Sequence, residues 1–219
     1  VGMVKQLNAL GLLGPDTTYI HCCYFSEEEW RMVADSGGTV SIAPQVETQM
    51  GHGWPPVMKA IEHGLRPSLS IDVVTTVPGD MFTQIRAAFG AERARVNAES
   101  WQADVPVPDT MLTARQMLGI ATANGAHVAG LEHRTGSLTP GKRADVVALD
   151  ATALNVAPVH DAAAAVTLSA DVSNVELVVV DGVIRKRDGR LTADVARARQ
   201  LVEESRDRLL AAKEAKPTP

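Results

Sequence analysis

His21 and Asp72 are the two side chains whose type and position together could carry chemistry. Each closes a short apolar run, Thr17-Thr18-Tyr19-Ile20-His21-Cys22 in one case and Ser68-Leu69-Ser70-Ile71-Asp72 in the other. An imidazole nitrogen and a carboxylate oxygen are both donors for a hydrolytic metal ion, which keeps one coordination position open for water. A carboxylate beside that water can take its proton. Alone, neither residue is diagnostic. A strand-end histidine is often structural, and an aspartate after a strand often caps the next turn or helix. A shared role requires a fold that brings both run ends to one place.

The neighbouring sequence supplies such a fold. A third run, Thr39-Val40-Ser41-Ile42-Ala43-Pro44, lies between the other two, and the intervening stretches carry helix signals. Strand, helix, strand, helix, strand is the pattern of parallel β/α units. In such folds the C-terminal strand ends face the site. Right-handed crossovers then predict three neighbouring parallel strands over 17–72, with His21 and Asp72 at one sheet edge. Ser26-Glu27-Glu28-Glu29 reads as a capping box with acids in the first turn, and Gly37-Gly38 stop that helix. Residues 45–54 read as a polar, Gly-rich β-to-α loop, the kind of segment that places binding groups. Glu47, Gln49, His52 and Trp54 are therefore candidate substrate contacts. Pro55-Pro56 opens a helix closed by Gly64, with His63 as its C-cap. Asp80 caps a helix to Asn97, and Thr113-Ala114-Arg115-Gln116 caps another to Asn124-Gly125.

The patterning changes at Gly136. Residues 144–150 and 175–180 read as strands, and Asp181-Gly182 is a hairpin signal into Val183-Ile184-Arg185-Lys186. Residues 4–10 and 193–213 read as helices, the second with Val195, Ala198, Leu201, Val202 and Leu209 on its apolar side. Pro217-Thr218-Pro219 is a tail. The expected division is 1–135 for the β/α part, 136–190 for the β module and 191–219 for the helix and tail. His127, His133 and His160 read as surface or packing residues.

Composition narrows the function classes. The 219 residues can bury a full core, and 45% of them are apolar, as in globular proteins. A net charge of -5 leaves no basic stripe to neutralise phosphates, which argues against a nucleic-acid partner. No apolar run reaches membrane length, and the N-terminus lacks the regions of a signal peptide. Cys22 and Cys23 are the only cysteines, and neighbours rarely form a structural disulfide, so a reducing, cytoplasmic setting is expected. Val1 is not an initiator Met, so a processed or incomplete chain is expected. No Gly-rich phosphate loop follows a strand, which weakens a nucleotide-phosphate-binding reading.

Four features resemble the amidohydrolase superfamily, in its branch of cytosine, guanine, adenosine-analogue and triazine deaminases and chlorohydrolases. Tyr19-Ile20-His21 with the Ser-Glu-Glu-Glu helix resembles the sixth barrel strand and its following helix. Ile42-Ala43-Pro44 with Met50-Gly51-His52-Gly53 and Pro55-Pro56-Val57 resembles the seventh strand and its loop. Gly64-Leu65-Arg66-Pro67-Ser68-Leu69-Ser70-Ile71-Asp72 resembles the eighth strand with its metal-binding Asp. Ala121-Thr122-Ala123-Asn124-Gly125-Ala126 with Gly136-Ser137-Leu138-Thr139-Pro140-Gly141-Lys142-Arg143-Ala144-Asp145 resembles the return from barrel to β-sandwich. The resemblance spans residues 5–190.

The resemblance implies an α/β fold: the C-terminal part of a TIM-type (β/α)8 barrel, about three strands, with part of a small β-sandwich and a C-terminal helix. It implies metal-dependent hydrolysis of a non-peptide C–N bond, with deamination of a cyclic amidine expected. Asp72 would be a metal ligand, for zinc first and iron second, and His21 would polarise substrate or water. The partner would be a small molecule, and a homo-oligomer fits the class. The chain departs from the pattern in lacking the His-x-His of the family's first strand and the His of its fifth. The seventh-strand loop reads Glu47-Thr48-Gln49-Met50 where the branch has Ser-Asn-x-x-Leu. A catalytically inactive fragment, or a subunit completed by a partner, is the alternative expectation.

Overall fold

The computed structural model describes residues 2–109 and 111–214. Helix α1 (Met3–Ala9) precedes strand β1 (Thr18–Ile20), and α2 (Glu27–Asp35) leads to β2 (Thr39–Ile42). Then come α3 (Pro44–Gln49), α4 (Val57–Glu62), β3 (Ser68–Leu69) and the long α5 (Met81–Gln102). Next are α6 (Ala114–Ala121) and α7 (Ala123–Val128). The strands form one parallel sheet in the order β1-β2-β3, with Thr18 beside Thr39 and Ser41 beside Ser68. Parallel neighbours oblige each connection to cross over as a helix, which places the strand C-terminal ends together.

Local sequence explains the elements. Ser26 accepts the Glu29 amide while the Glu29 carboxylate takes the Ser26 amide and hydroxyl, closing the expected capping box. Thr113 and Gln116 close a second one at α6. Asp80 accepts the Thr83 amide at 2.8 Å to start α5. Each cap satisfies donors that a helix start leaves unpaired and contributes about 1 kcal/mol. Val40, Ile42 and Leu69 of the sheet are buried against Trp30 and Val33 of α2, Val57 and Ala60 of α4, Ile85 and Ala88 of α5, and Met117 and Ile120 of α6. Trp30 stacks on His63, 5.9 Å between ring centroids, and that His, the C-cap of α4, also meets Glu27 at 3.1 Å. This packing fixes the sheet and hence the strand ends.

Several expectations are corrected. Residues 45–54 are not wholly loop, because α3 occupies Pro44–Gln49. Its Pro stands at the first helical position, where no amide bond is lost, and Ala43 and Val46 are buried against Val77. Helix α5 runs on to Gln102 rather than stopping near Asn97. The helix after Thr113 breaks at Thr122, whose hydroxyl donates to the Leu118 carbonyl at 2.7 Å, and a second helix continues to Val128.

A second, antiparallel sheet follows, in the order β4 (Val146–Leu149), β5 (Val175–Val180), β6 (Val183–Arg187), β7 (Arg190–Leu191). Asp181 and Gly182 turn β5 into β6 with φ of 51° and 78°, the left-handed pair a tight hairpin needs. Between β4 and β5 lies α8 (Ala162–Ala164), running into a π-helical turn over Ala165–Ser169. The buried Thr167 hydroxyl donates to the Ala114 carbonyl at 3.1 Å and ties this segment to α6. Helix α9 (Val195–Glu214) exposes Val195, Leu201, Val202 and Leu209. The tail at 217–219 lies outside the described residues. Among the described residues, no helix is long and apolar enough to cross a membrane.

Candidate active site

β1 and β3 deliver His21 and Asp72 to the same edge of the parallel sheet, with His21 Nε2 3.9 Å from Asp72 Oδ2. Both strands are shorter than their apolar runs because the chain leaves the extended conformation just past them. His21, Cys22 and Asp72 have φ of 69°, 58° and 65°. Side chains with a Cβ hold this left-handed geometry at a cost of about 1–3 kcal/mol, and such residues concentrate at functional sites. The His21 amide still donates to the Ser41 carbonyl at 3.0 Å, and the Ser70 amide to the Ile42 carbonyl at 2.8 Å. The sheet therefore holds the backbone up to each turn. The two side chains stay reachable, 28% exposed for His21 and 35% for Asp72.

Glu47 was expected on a site-facing loop as a substrate contact, and the structure corrects this. It lies on α3 with its side chain fully buried. Its Oε1 accepts the Ala43 amide at 2.7 Å and lies 3.1 Å from His21 Nδ1. Among the described residues, its Oε2 is buried without a partner. Burial raises the Glu47 carboxyl above its ordinary pKa, opposed by the Ala43 amide and by His21. A side chain placed like this touches His21 and the Ala43 amide instead of solvent. The signal in the sequence was Pro44 with an acid in the first turn of the helix it opens.

The other expected contacts differ in placement. His52 packs edge-on against His21, 5.2 Å between ring centroids. Next to it, Gly53 has φ of 106°, and a Cβ there would stand 3.2 Å from the Cys23 Cβ. Trp54 is 52% exposed. The Gln49 side-chain amide donates to the Thr76 carbonyl at 3.3 Å, which ties α3 to the loop after Asp72.

Cys22 and Cys23 are free thiols beside His21. Burial raises both, Cys23 to about 12 and Cys22 further. The reactive form is the thiolate, so at neutral pH both stay protonated. Iodoacetamide is expected to label them on the order of 10²–10³-fold more slowly in the folded protein than in denaturant. Mass spectrometry of alkylated peptides checks this, and equal rates would contradict it.

Among the described residues, no group of three or more His, Cys, Asp or Glu side chains is placed to hold a metal ion. A catalytic zinc takes about three protein ligands. His21 and Asp72 offer suitable donor types at one strand-end edge, so they fit part of a ligand set and not a whole one.

The amidohydrolase family pattern matches residues 2–185. The 5'-deoxyadenosine deaminase of Methanosarcina mazei is 30% identical over 189 residues, covering 86% of this chain and 41% of that protein. The 5-methylthioadenosine/S-adenosylhomocysteine deaminase of Desulforudis audaxviator is 31% identical over 209 residues, covering 94% of this chain and 46% of that protein. An adenosine deaminase from Xanthomonas campestris, solved with bound zinc, superposes with a TM-score of 0.83 at 25% identity, over 95% of this chain and 46% of that one. Atrazine chlorohydrolase from Arthrobacter aurescens TC1, complexed with zinc, superposes with a TM-score of 0.76 over 88% of this chain and 41% of that one. At 24% identity this last likeness speaks for the fold alone. The chain spans less than half the length of these curated relatives. With the pattern running from residue 2 to residue 185, through the strands that present His21 and Asp72, the chain belongs to the amidohydrolase family.

Proposed function

We propose that this chain forms part of a zinc-dependent aminohydrolase that removes an amino group from a purine-like ring, with His21 and Asp72 as its share of the reaction centre. The observation that carries the reading is the meeting of these two side chains, 3.9 Å apart, from separate strand ends. The three parallel strands are read as the sixth to eighth of a (β/α)8 barrel, and the antiparallel sheet as part of a β-sandwich. The division at 1–135, 136–190 and 191–219 follows from that reading. The substrate class draws support from relatives named as deaminases of 5'-deoxyadenosine and of 5-methylthioadenosine or S-adenosylhomocysteine. Zinc draws support from the adenosine deaminase neighbour, which was solved with it. The absence of a three-ligand group among the described residues supports a reading in which further donors come from additional polypeptide, covalently continuous or a partner.

Bound zinc supplies Lewis-acid polarisation and a lower pKa for the attacking water. Asp72 would take the proton of the attacking water at Oδ2 and return it to the amino group, which would leave as ammonia as its C–N bond breaks. His21 meets the charge that develops on the substrate at Nε2, the ring nitrogen on the Asp72 side. His52 and Trp54 border the approach, and Gln49 braces the loop beyond Asp72. The test is ammonia release by the zinc-loaded protein completed with the missing donors. The expected result is deamination of 5'-deoxyadenosine or 5-methylthioadenosine. No ammonia from adenosine analogues, cytosine, guanine or an aminotriazine would overturn the reading.

A further inference from the structure

We infer that Glu47 is a positioning residue that keeps the Nδ1 proton on His21, so that the bare nitrogen of the neutral ring is the Nε2 facing Asp72. The role of His21 rests on the reading above; the hydrogen-bond arrangement does not.

The geometry is specific. Glu47 Oε1 lies 2.7 Å from the Ala43 nitrogen, which can only donate, so this oxygen is an acceptor. His21 Nδ1 faces the same oxygen at 3.1 Å. An oxygen already accepting a main-chain amide is the poorer place for a carboxyl proton, and Oε2 is the vacant alternative. Nδ1 is therefore the donor, whether or not Glu47 is itself protonated. The partner of an imidazole's one nitrogen sets the state of the other. Nε2 is then a lone pair in the neutral ring and an N–H in the imidazolium, and in both it lies toward Asp72.

The support is rigid. Glu47 is held on α3 by the main-chain bond from its own amide to the Ala43 carbonyl at 3.0 Å, and the adjoining Ala43 and Val46 are buried. The His52 ring packs in a T-shape with the His21 ring, 5.2 Å between centroids. A carboxylate buried this deeply costs free energy unless it makes directed hydrogen bonds, and both of those it makes serve the strand end that carries His21 or the helix start beside it.

The test reads the tautomer directly. The 219-residue chain is labelled with ¹⁵N at histidine, and long-range proton–nitrogen spectra are recorded well above the ordinary histidine pKa of about 6.5. His21 is assigned by the signal lost in His21→Asn. The expected wild-type result is a protonated Nδ1 and a bare Nε2. In Glu47→Ala the signal is expected to move toward the Nε2–H form. Glu47→Gln should keep the Nδ1–H form, because its amide oxygen still accepts both donors. A wild-type His21 found as Nε2–H overturns the inference, as does an unchanged tautomer in folded Glu47→Ala. The wild-type spectrum decides even where a variant fails to fold. Neither zinc nor turnover enters the readout, so a failed deaminase assay and a failed tautomer assignment are separate outcomes.

Discussion

Asp72→Asn is expected to remove ammonia release from the completed, zinc-loaded protein, lowering kcat by about 10⁴-fold, the scale on which single members of a catalytic unit act. An amide oxygen is a poor zinc ligand and cannot take the proton of the attacking water. The substitution also isolates chemistry from folding. Asp72 sits at φ 65°, and Asn is among the side chains that best tolerate this region. Asp72 is partly exposed, so no buried partner is orphaned. Thermal unfolding should stay close to wild type while zinc content falls. Near-normal turnover in the variant would contradict the assignment.

His21→Asn should separate two effects. It keeps a side chain suited to the left-handed backbone at φ 69° while removing the ring. Loss of one preorganised group facing the developing charge lowers kcat by about 10²–10³-fold, roughly 3–4 kcal/mol. Zinc content should fall much less than in Asp72→Asn, since His21 is assigned to the substrate. The variant should also unfold more easily. Glu47 would lose the His21 bond and retain only the Ala43 amide, and an unsatisfied buried polar group costs about 1–3 kcal/mol. Steady-state kinetics with metal analysis and a melting curve test the three parts. A variant that loses zinc as completely as Asp72→Asn would move His21 into the ligand set.

Much of the frame was legible because it rests on short-range rules. Strand and helix alternation over 17–72 gave the parallel order, and the capping residues at Ser26, Asp80 and Thr113 all make the bonds expected of them. The helix α3 was not read, because the Gly51 and Gly53 that suggest a loop fall after it and outweighed Pro44 and Glu47 at its start. Glu47 was misplaced for a longer-range reason. A carboxylate is buried only with partners, and its partner His21 lies 26 positions away, just past the end of β1. The left-handed turns at His21, Cys22 and Asp72 were likewise invisible, since none of the three is glycine. The segment around Thr167 depends on packing against α6, which no local pattern announces.

On the proposed reading, the strand ends of this chain hold part, and only part, of a zinc aminohydrolase site. The most direct measurement is ammonia release from 5'-deoxyadenosine by the isolated 219-residue chain in zinc, beside the completed protein under the same conditions. Turnover is expected from the completed protein and none from the isolated chain, whose described residues bring together Asp72 as a ligand and His21 beside it but no full ligand set. Deamination by the isolated chain, with zinc bound one to one, would contradict it.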